Sequence, residues 1–242
     1  MNWEMTIIKK IWRKRHFLFS LPMTIFFNFR YLPFSKAVRL PVWLCRARIS
    51  GKGKYYIESP VYPGMIRLGF PNVSIFNEKG ILLENNGTVY IKGELNLGAG
   101  SAISVGEKGK LTFGDKVAGQ AGAKLVCYHK ILLGDKVRIG WNTIMCDTDF
   151  HSMKNITGNK RTKGYGPIII EDEVWIGSFC KIYKNTFIPR RCTLSANTLV
   201  NKKIECEPYS LIYSGDGIKI KPTGYYRDMD DDIIEYPDNS NK

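Results

Sequence analysis

The sequence predicts a mainly β chain wound as a solenoid, and three observations predict it. First, positions 170, 176, 182, 188, 194 and 200 read Ile, Ile, Ile, Ile, Leu and Val. An α-helix repeats every 3.6 residues and a strand every two, so a strict period of six belongs to neither alone. It fits short strands joined by tight corners, each side sending one aliphatic side chain into a shared interior. Second, "LTFGDKV" (111–117), "ILLGDKV" (131–137) and "IIIEDEV" (168–174) are copies of one unit. The first two start 20 residues apart, close to a coil of three six-residue sides. Third, the second and third start 37 apart, close to two such coils. The chain therefore leaves the winding between them and returns in register.

Taken in order, residues 1–54 come first. They hold twelve Lys and Arg against Glu4 alone, so +11 of the chain's +14 sits there and the remainder nets about +3. One or two short amphipathic helices are expected, broken by Pro22, Pro33 and Pro41. Aromatic residues alternate with basic ones, which is the composition of a segment lying on an anionic membrane. A helical cap packing its aromatics on the end of the main domain is the other reading. The stretch "KKIWRKRHFLFSLPMTIFFNF" has a basic run before apolar residues, like a signal peptide. It lacks a small-residue cleavage site, Pro22 and Asn28 interrupt it, and Arg30 closes it short of a bilayer span. Neither a cleaved signal nor a spanning helix is expected. Nucleic acid is not an expected partner, because the charge is confined to this arm rather than spread over the body.

The coil is expected over 65–222. Upstream its beat is looser: Ile91, Leu97 and Ile103, then Leu125, Ile131 and Val137, with Leu133 and Ile139 in parallel. An insertion at 147–167 interrupts it, and insertions on one face of a solenoid are where function collects. Residues 223–242 form an acidic tail. Six cysteines without CxxC or CxC spacing fit neither a zinc ribbon nor a disulfide scaffold, so reduced thiols in a cytoplasmic protein are expected.

At "IIIEDEVWIGSFCKI" the sequence resembles the hexapeptide-repeat acyltransferases, whose members carry an "I-x-I-x-(D/N)-x-V-W-I-G-S" run. The resemblance covers about residues 65–220 and implies a left-handed parallel β-helix. It is nearest to the branch that O-acetylates sugars, including maltose and galactoside acetyltransferases and enzymes that tailor capsule or lipopolysaccharide. "FNFRYLPFSKAVRLPVW" is similar to the leader of polysaccharide-associated members. In that branch a long loop leaves the β-helix before the V-W-I-G-S run and bears the catalytic histidine; "DTDFH" (147–151) occupies that place. The chain departs from the pattern at "IPRR", "LSANT" and "SGDGIK", where the family has glycine- and proline-bearing turns.

The residues support the chemistry so implied. Acyl transfer from a thioester to a hydroxyl needs a base for the hydroxyl proton and donors for the tetrahedral oxyanion. His151 is the candidate base, with Asp149 or Asp147 holding its other N–H; turn chemistry is the alternative for both acids. The resemblance implies acetyl-CoA as co-substrate in a groove walled by the subunits of a homotrimer. Trp175 would pack on the coenzyme or seal the trimer contact. Ser178 would serve a turn or reach the thioester, and Ala196 and Gly215 would admit the pantetheine arm. Lys202, with Lys203 beside it, would meet the phosphates or stay solvated. Lys160, Arg161 and Lys163 suit phosphate or acceptor, and Asn142 suits substrate or a corner. His129 and His16 read as structural or surface residues. The three histidines are 113 and 22 residues apart, so no metal site is expected.

The expected activity is an acetyl-CoA-dependent O-acyltransferase acting on a sugar hydroxyl of a cell-surface glycan or its lipid-linked precursor, in polysaccharide biosynthesis. N-acetylation of an amino sugar and a non-catalytic β-helix scaffold are the alternatives. The expected location is cytoplasmic, at the inner face of the membrane through residues 1–50.

Overall fold

A computed structural model describes residues 20–73, 75, 76 and 78–214, and the backbone of a strand at Tyr225–Arg227. Residues 1–19 with His16, Gly215, and the tail apart from that strand lie outside the described residues.

Three parallel sheets form the faces of a tube. The first face has eight strands: Val42–Leu44, Ile66–Phe70, Leu95–Gly98, Val117–Gly119, Arg138–Ile139, Trp175–Ile176, Thr193–Leu194 and Leu211–Ile212. The second has seven: Ala47–Ser50, Ile81–Asn85, Ser101–Val105, Lys124–Cys127, Ile144–Cys146, Lys181–Tyr183 and Leu199–Val200. The third has six: Lys54–Ile57, Thr88–Ile91, Lys110–Phe113, Lys130–Leu133, Ile168–Ile170 and Thr186–Ile188. The chain visits the faces in that order and starts again, so each strand pairs with its counterpart one coil away. The fold is the left-handed parallel β-helix of hexapeptide repeats expected from the sequence.

The six-residue beat has the predicted cause. Ile170 and Ile188 point in from the third face, Ile176 and Leu194 from the first, Ile182 and Val200 from the second, and none is more than 3% exposed. A second beat runs beside it at the corners. Glu173, Phe179, Asn185, Arg191 and Asn197, each six residues from the next, have φ between 58° and 65°. The left-handed conformation costs a side chain roughly 1–2 kcal/mol. The "IPRR" and "LSANT" turns, which hold Arg191 and Asn197, thus take the same corner conformation as the turns before them.

The β-helix begins at Val42 rather than near residue 65. Val42, Trp43 and Leu44 pair with Ile66, Arg67 and Leu68, and Ala47–Ser50 and Lys54–Ile57 complete a first coil. A terminal coil has a neighbour on one side only, so its sequence carries fewer aliphatics. Arg46, Arg48 and Lys54 point outward from it, and part of the charge read as an arm is the polar outside of that coil. A helix at residues 20–31 closes the open edge above it. Thr24 Oγ1 accepts from Leu44 N–H at 3.1 Å, and Ser20 Oγ from Arg46 N–H at 3.2 Å. Asn28 receives Val42 N–H at 3.1 Å and donates to Val42 O at 2.7 Å. Residues one helical turn apart thus satisfy an edge that would otherwise recruit another strand.

The winding is left twice on the way down. Residues 71–80 leave between the first and second faces of the second coil, an excursion with no periodic signal in the sequence. The longer departure lies between Ile144–Cys146 on the second face and Ile168–Ile170 on the third, the insertion expected at 147–167.

Candidate active site

Asp147 is the residue at which the chain leaves the coil, and its carboxylate is wholly buried. Oδ1 accepts the Tyr128 N–H at 2.8 Å; Oδ2 accepts those of His129 and Lys130 at 2.8 and 2.7 Å. Burial pushes this carboxyl above its ordinary value, with the three N–H donors working the other way. Asp147 therefore clamps the base of the insertion onto the preceding corner, the turn role open to it from sequence. Gly166 N–H donates to Asp147 O at 3.0 Å, so the returning arm closes on the same residue. A side chain at Gly166 would collide with Asn185, because an added Cβ would stand 1.9 Å from its Oδ1.

Between these ends the insertion is an antiparallel hairpin. Asp149 N–H reaches Gly164 O at 2.7 Å, Thr162 N–H reaches Met153 O at 2.8 Å, and Asn155 N–H reaches Lys160 O at 2.8 Å. The Met153 N–H donates to Thr162 Oγ1, and Asn155 Oδ1 caps the turn at Thr157. On its other side Met153–Asn155 pairs antiparallel with Tyr225–Arg227, so the C-terminal stretch returns to the insertion. A loop by sequence is a sheet by structure. Such pairing fixes its side chains in place.

His151 stands half-buried on the outgoing arm. Phe150, immediately before it, has φ 62° and lays its ring edge-on to Tyr128 at 4.9 Å, which bends the arm as it reaches the imidazole. Asp149 points to Lys184, which follows the second-face strand of the next coil, and the two form an ion pair. Lys184 is a neighbour of the candidate site that the sequence did not single out, although its signal was present. The same 37-residue offset that sets Ile168 beside Ile131 sets Tyr183 beside Cys146, bringing Lys184 level with the exit of the insertion. His129 also belongs to this neighbourhood: its ring meets Tyr165 edge-on at 4.9 Å, and Lys163 lies 4.8 Å from the face of the same tyrosine. Lys160 and Arg161 are exposed on the returning arm, with Arg161 donating to Ser152 Oγ at 3.3 Å.

The remaining candidates stand elsewhere on the tube. Trp175 is exposed on the first face, between Arg138 and Thr193 of the adjoining coils. Ser178 and Ala196 line the vertex between the first and second faces. Ser178 Oγ accepts Trp141 N–H at 3.2 Å, and Gly177 packs directly under the Ala196 amide. Asn142 is a corner residue at this vertex with φ 51°, its Oδ1 over Gly122. Lys202 is exposed, and Lys203 beside it pairs with Glu205 at 2.9 Å on the surface. One chain thus carries the His151 imidazole at the vertex between the second and third faces, and Ser178 and Ala196 at the vertex on the far side of the second face. Trp141, whose ring lies 5.6 Å from Phe76 of the 71–80 excursion, stands at this second vertex without any periodic signal to announce it.

Among the described residues no three His, Cys, Asp or Glu side chains gather as metal ligands. A scan against protein-family models finds no match, and neither does a search of curated proteins. Solved structures give distant likenesses, three of which follow. A hexapeptide-repeat-containing acetyltransferase from Vibrio cholerae O1 biovar eltor, complexed with acetyl coenzyme A, is 17% identical, covering 80% of this chain and 79% of its own, with a TM-score of 0.37. The polysialic acid O-acetyltransferase OatWY is 19% identical over 69% of this chain and 85% of its own, with a TM-score of 0.37. The polySia-specific acetyltransferase NeuO is 16% identical over 81% and 91%, with a TM-score of 0.43. At these values the likenesses carry no statement about chemistry.

Proposed function

We propose that this protein is an acyl-CoA-dependent O-acyltransferase that acetylates a sugar hydroxyl, with His151 as general base. The observation that carries the proposal is the insertion itself. A regular tube is interrupted at one vertex by a paired hairpin, clamped at its root through Asp147, that holds a half-buried imidazole beside exposed cations. A neutral imidazole on such a mount suits the removal of a hydroxyl proton. The freed oxygen attacks the thioester carbonyl, the tetrahedral intermediate collapses, and the proton passes from His151 to the departing thiolate. The ester and free coenzyme A are the products. The Asp149–Lys184 pair ties the arm bearing His151 to the next coil, so both are positioning residues in this reading. Lys160, Arg161 and Lys163 would face the acceptor or the coenzyme phosphates.

Coenzyme A would lie along the vertex of Gly140, Gly177, Ser178 and Ala196, with Trp175 beside it. Ser178 and Ala196 carry short side chains there, which would let a thin pantetheine arm run close to the backbone, while Gly140 and Gly177 let the neighbouring coils pack tightly at that vertex. That vertex and His151 stand on opposite sides of the second face of one chain, so the complete site takes one half from each of two copies. A cyclic homotrimer meets that requirement. Trp175 (60% exposed), Phe179, Leu199 and Leu211 (62% exposed) form an apolar surface around the last coils that such an assembly would cover. With acetyl-CoA as donor the enzyme works on the cytoplasmic side, on a glycan or its lipid-linked precursor.

The test is release of free thiol from acetyl-CoA in the presence of a glycan acceptor, with alkali lability separating ester from amide in the product. Wild type should turn over, and His151→Ala should lose activity by about 10²–10⁴-fold. Equal activity in both proteins would remove His151 as base; activity in neither would leave a scaffold; an alkali-stable product would make the acceptor an amino sugar.

A further inference from the structure

The helix at residues 20–31 is built inside out. A surface helix normally buries its apolar stripe and shows its polar one to water. Here the inward side carries Ser20, Thr24 and Asn28, all buried and all bonded to the backbone of 42–46, alongside Phe27. The outward side carries Met23, Ile25, Phe26 and Phe29, which are 37, 42, 52 and 49% exposed. The surface continues past the helix: Phe34 is 74% exposed with its ring 6.1 Å from that of Phe29, and Val38 follows one turn later. The edge of the first sheet accounts for the polar stripe. No described residue covers the apolar one, and a continuous apolar patch of this kind marks a contact surface.

We propose that this face lies in the headgroup layer of an anionic lipid bilayer, with the tube standing on the membrane by its N-terminal end. Charge selects the bilayer over a second copy of the chain. Arg30 and Arg39 are exposed beside the patch. The sequence just ahead of the helix adds Lys9, Lys10, Arg13, Lys14 and Arg15, and no acidic residue occurs between Glu4 and Glu58. Two copies meeting through this surface would bring like charges together, whereas an anionic leaflet attracts each basic residue. The aromatic side chains would sit at the boundary between headgroups and acyl chains, as in helices that lie in the interface plane. Among the described residues no helix is long and apolar enough to cross a membrane. The inference does not depend on the activity proposed above. It does bear on the acceptor, since a lipid-linked precursor would be met in the same plane.

Flotation of the full chain with phosphatidylcholine vesicles, with and without phosphatidylglycerol, tests the proposal. Wild type should float with the phosphatidylglycerol vesicles and progressively less as salt screens the charges. The double variant Phe26→Glu/Phe29→Glu should float at least about tenfold less. Both rings face outward, so its thermal melt should match that of wild type; should it fail to fold, Phe34→Glu carries the same comparison. Wild type that stays off the vesicles overturns the proposal, as does a variant that floats equally well. So does a lipid-free self-association that the substitutions abolish, which would assign the face to a second copy.

Discussion

Single residues carry two distinct jobs at the insertion, and substitutions separate them. Asp147 spends its carboxylate on three backbone N–H groups of the preceding corner. Asn in its place keeps one acceptor oxygen, leaving at least one buried donor unmet at a cost of about 1–3 kcal/mol. Asp147→Asn should therefore lower the unfolding free energy by that amount, read from urea melts as a lower midpoint at unchanged slope, while His151→Ala leaves the midpoint near wild type and lowers turnover. His129 supplies a pH signature. Burial, and after it Lys163 and Lys130, hold its imidazole below the ordinary value of 6.5, and its Nδ1 is buried without a hydrogen-bond partner. The folded state thus resists a proton that the unfolded state accepts, so stability is lost as pH falls below about 6.5. Melts recorded between about pH 7 and pH 5 should show wild type losing more stability than His129→Phe, which keeps a ring against Tyr165 but cannot titrate. Parallel profiles would exclude His129 as the source of the acid sensitivity.

At the scale of elements, what was legible in the sequence and what was not divides along periodicity. The six-residue beat at Ile170, Ile176, Ile182, Ile188, Leu194 and Val200 exposed the tube, because an interior side chain recurs wherever the coil repeats. The offset of the "GDKV" copies gave the insertion its place. Three features carried no such repeat. The first coil, at Val42–Ile57, is covered on one side by the cap and lacks the aliphatic count of the others. The hairpin within the insertion depends on pairings of Met153 with Thr162 and with the distant Tyr225–Arg227, which leave no mark on local composition. The corners hid a rule of their own, since a left-handed residue falls at Glu173, Phe179, Asn185, Arg191 and Asn197 without a glycine among them. That rule is testable at Asn197, which is exposed and at φ 60°. Asparagine and glycine tolerate this region and β-branched residues do not. Asn197→Gly should stay within a few tenths of a kcal/mol of wild type, and Asn197→Val should lose roughly 1–2 kcal/mol in the same measurement. Equal losses would mean that the corner side chain, rather than its backbone, holds that turn.

For the whole molecule the proposed function turns on a site divided between copies. In the proposed reading His151 and the Ser178–Ala196 vertex stand on opposite sides of the second face of one chain, so they would meet only between copies. Either the chain works in company or the two half-sites are unrelated. The apolar surface of Trp175, Phe179, Leu199 and Leu211 lies around the last coils, level with the insertion's return, and away from the N-terminal cap. Placing two carboxylates on it by Trp175→Glu/Leu211→Glu should leave the interior aliphatics untouched, because both side chains point outward, and should break an assembly that buries them. Sedimentation should find wild type as a trimer and the variant as a monomer with an unchanged circular dichroism spectrum. Activity should fall with the assembly, and it should be restored in part by mixing two inactive trimers that exchange subunits, one with His151→Ala and the other with Ser178→Trp to obstruct the cradle. In mixed trimers some grooves receive an intact half from each parent, whereas a site contained within one chain gains nothing from mixing. A monomeric wild type with full turnover would unite the half-sites by some route other than symmetry and remove the reason for the trimer.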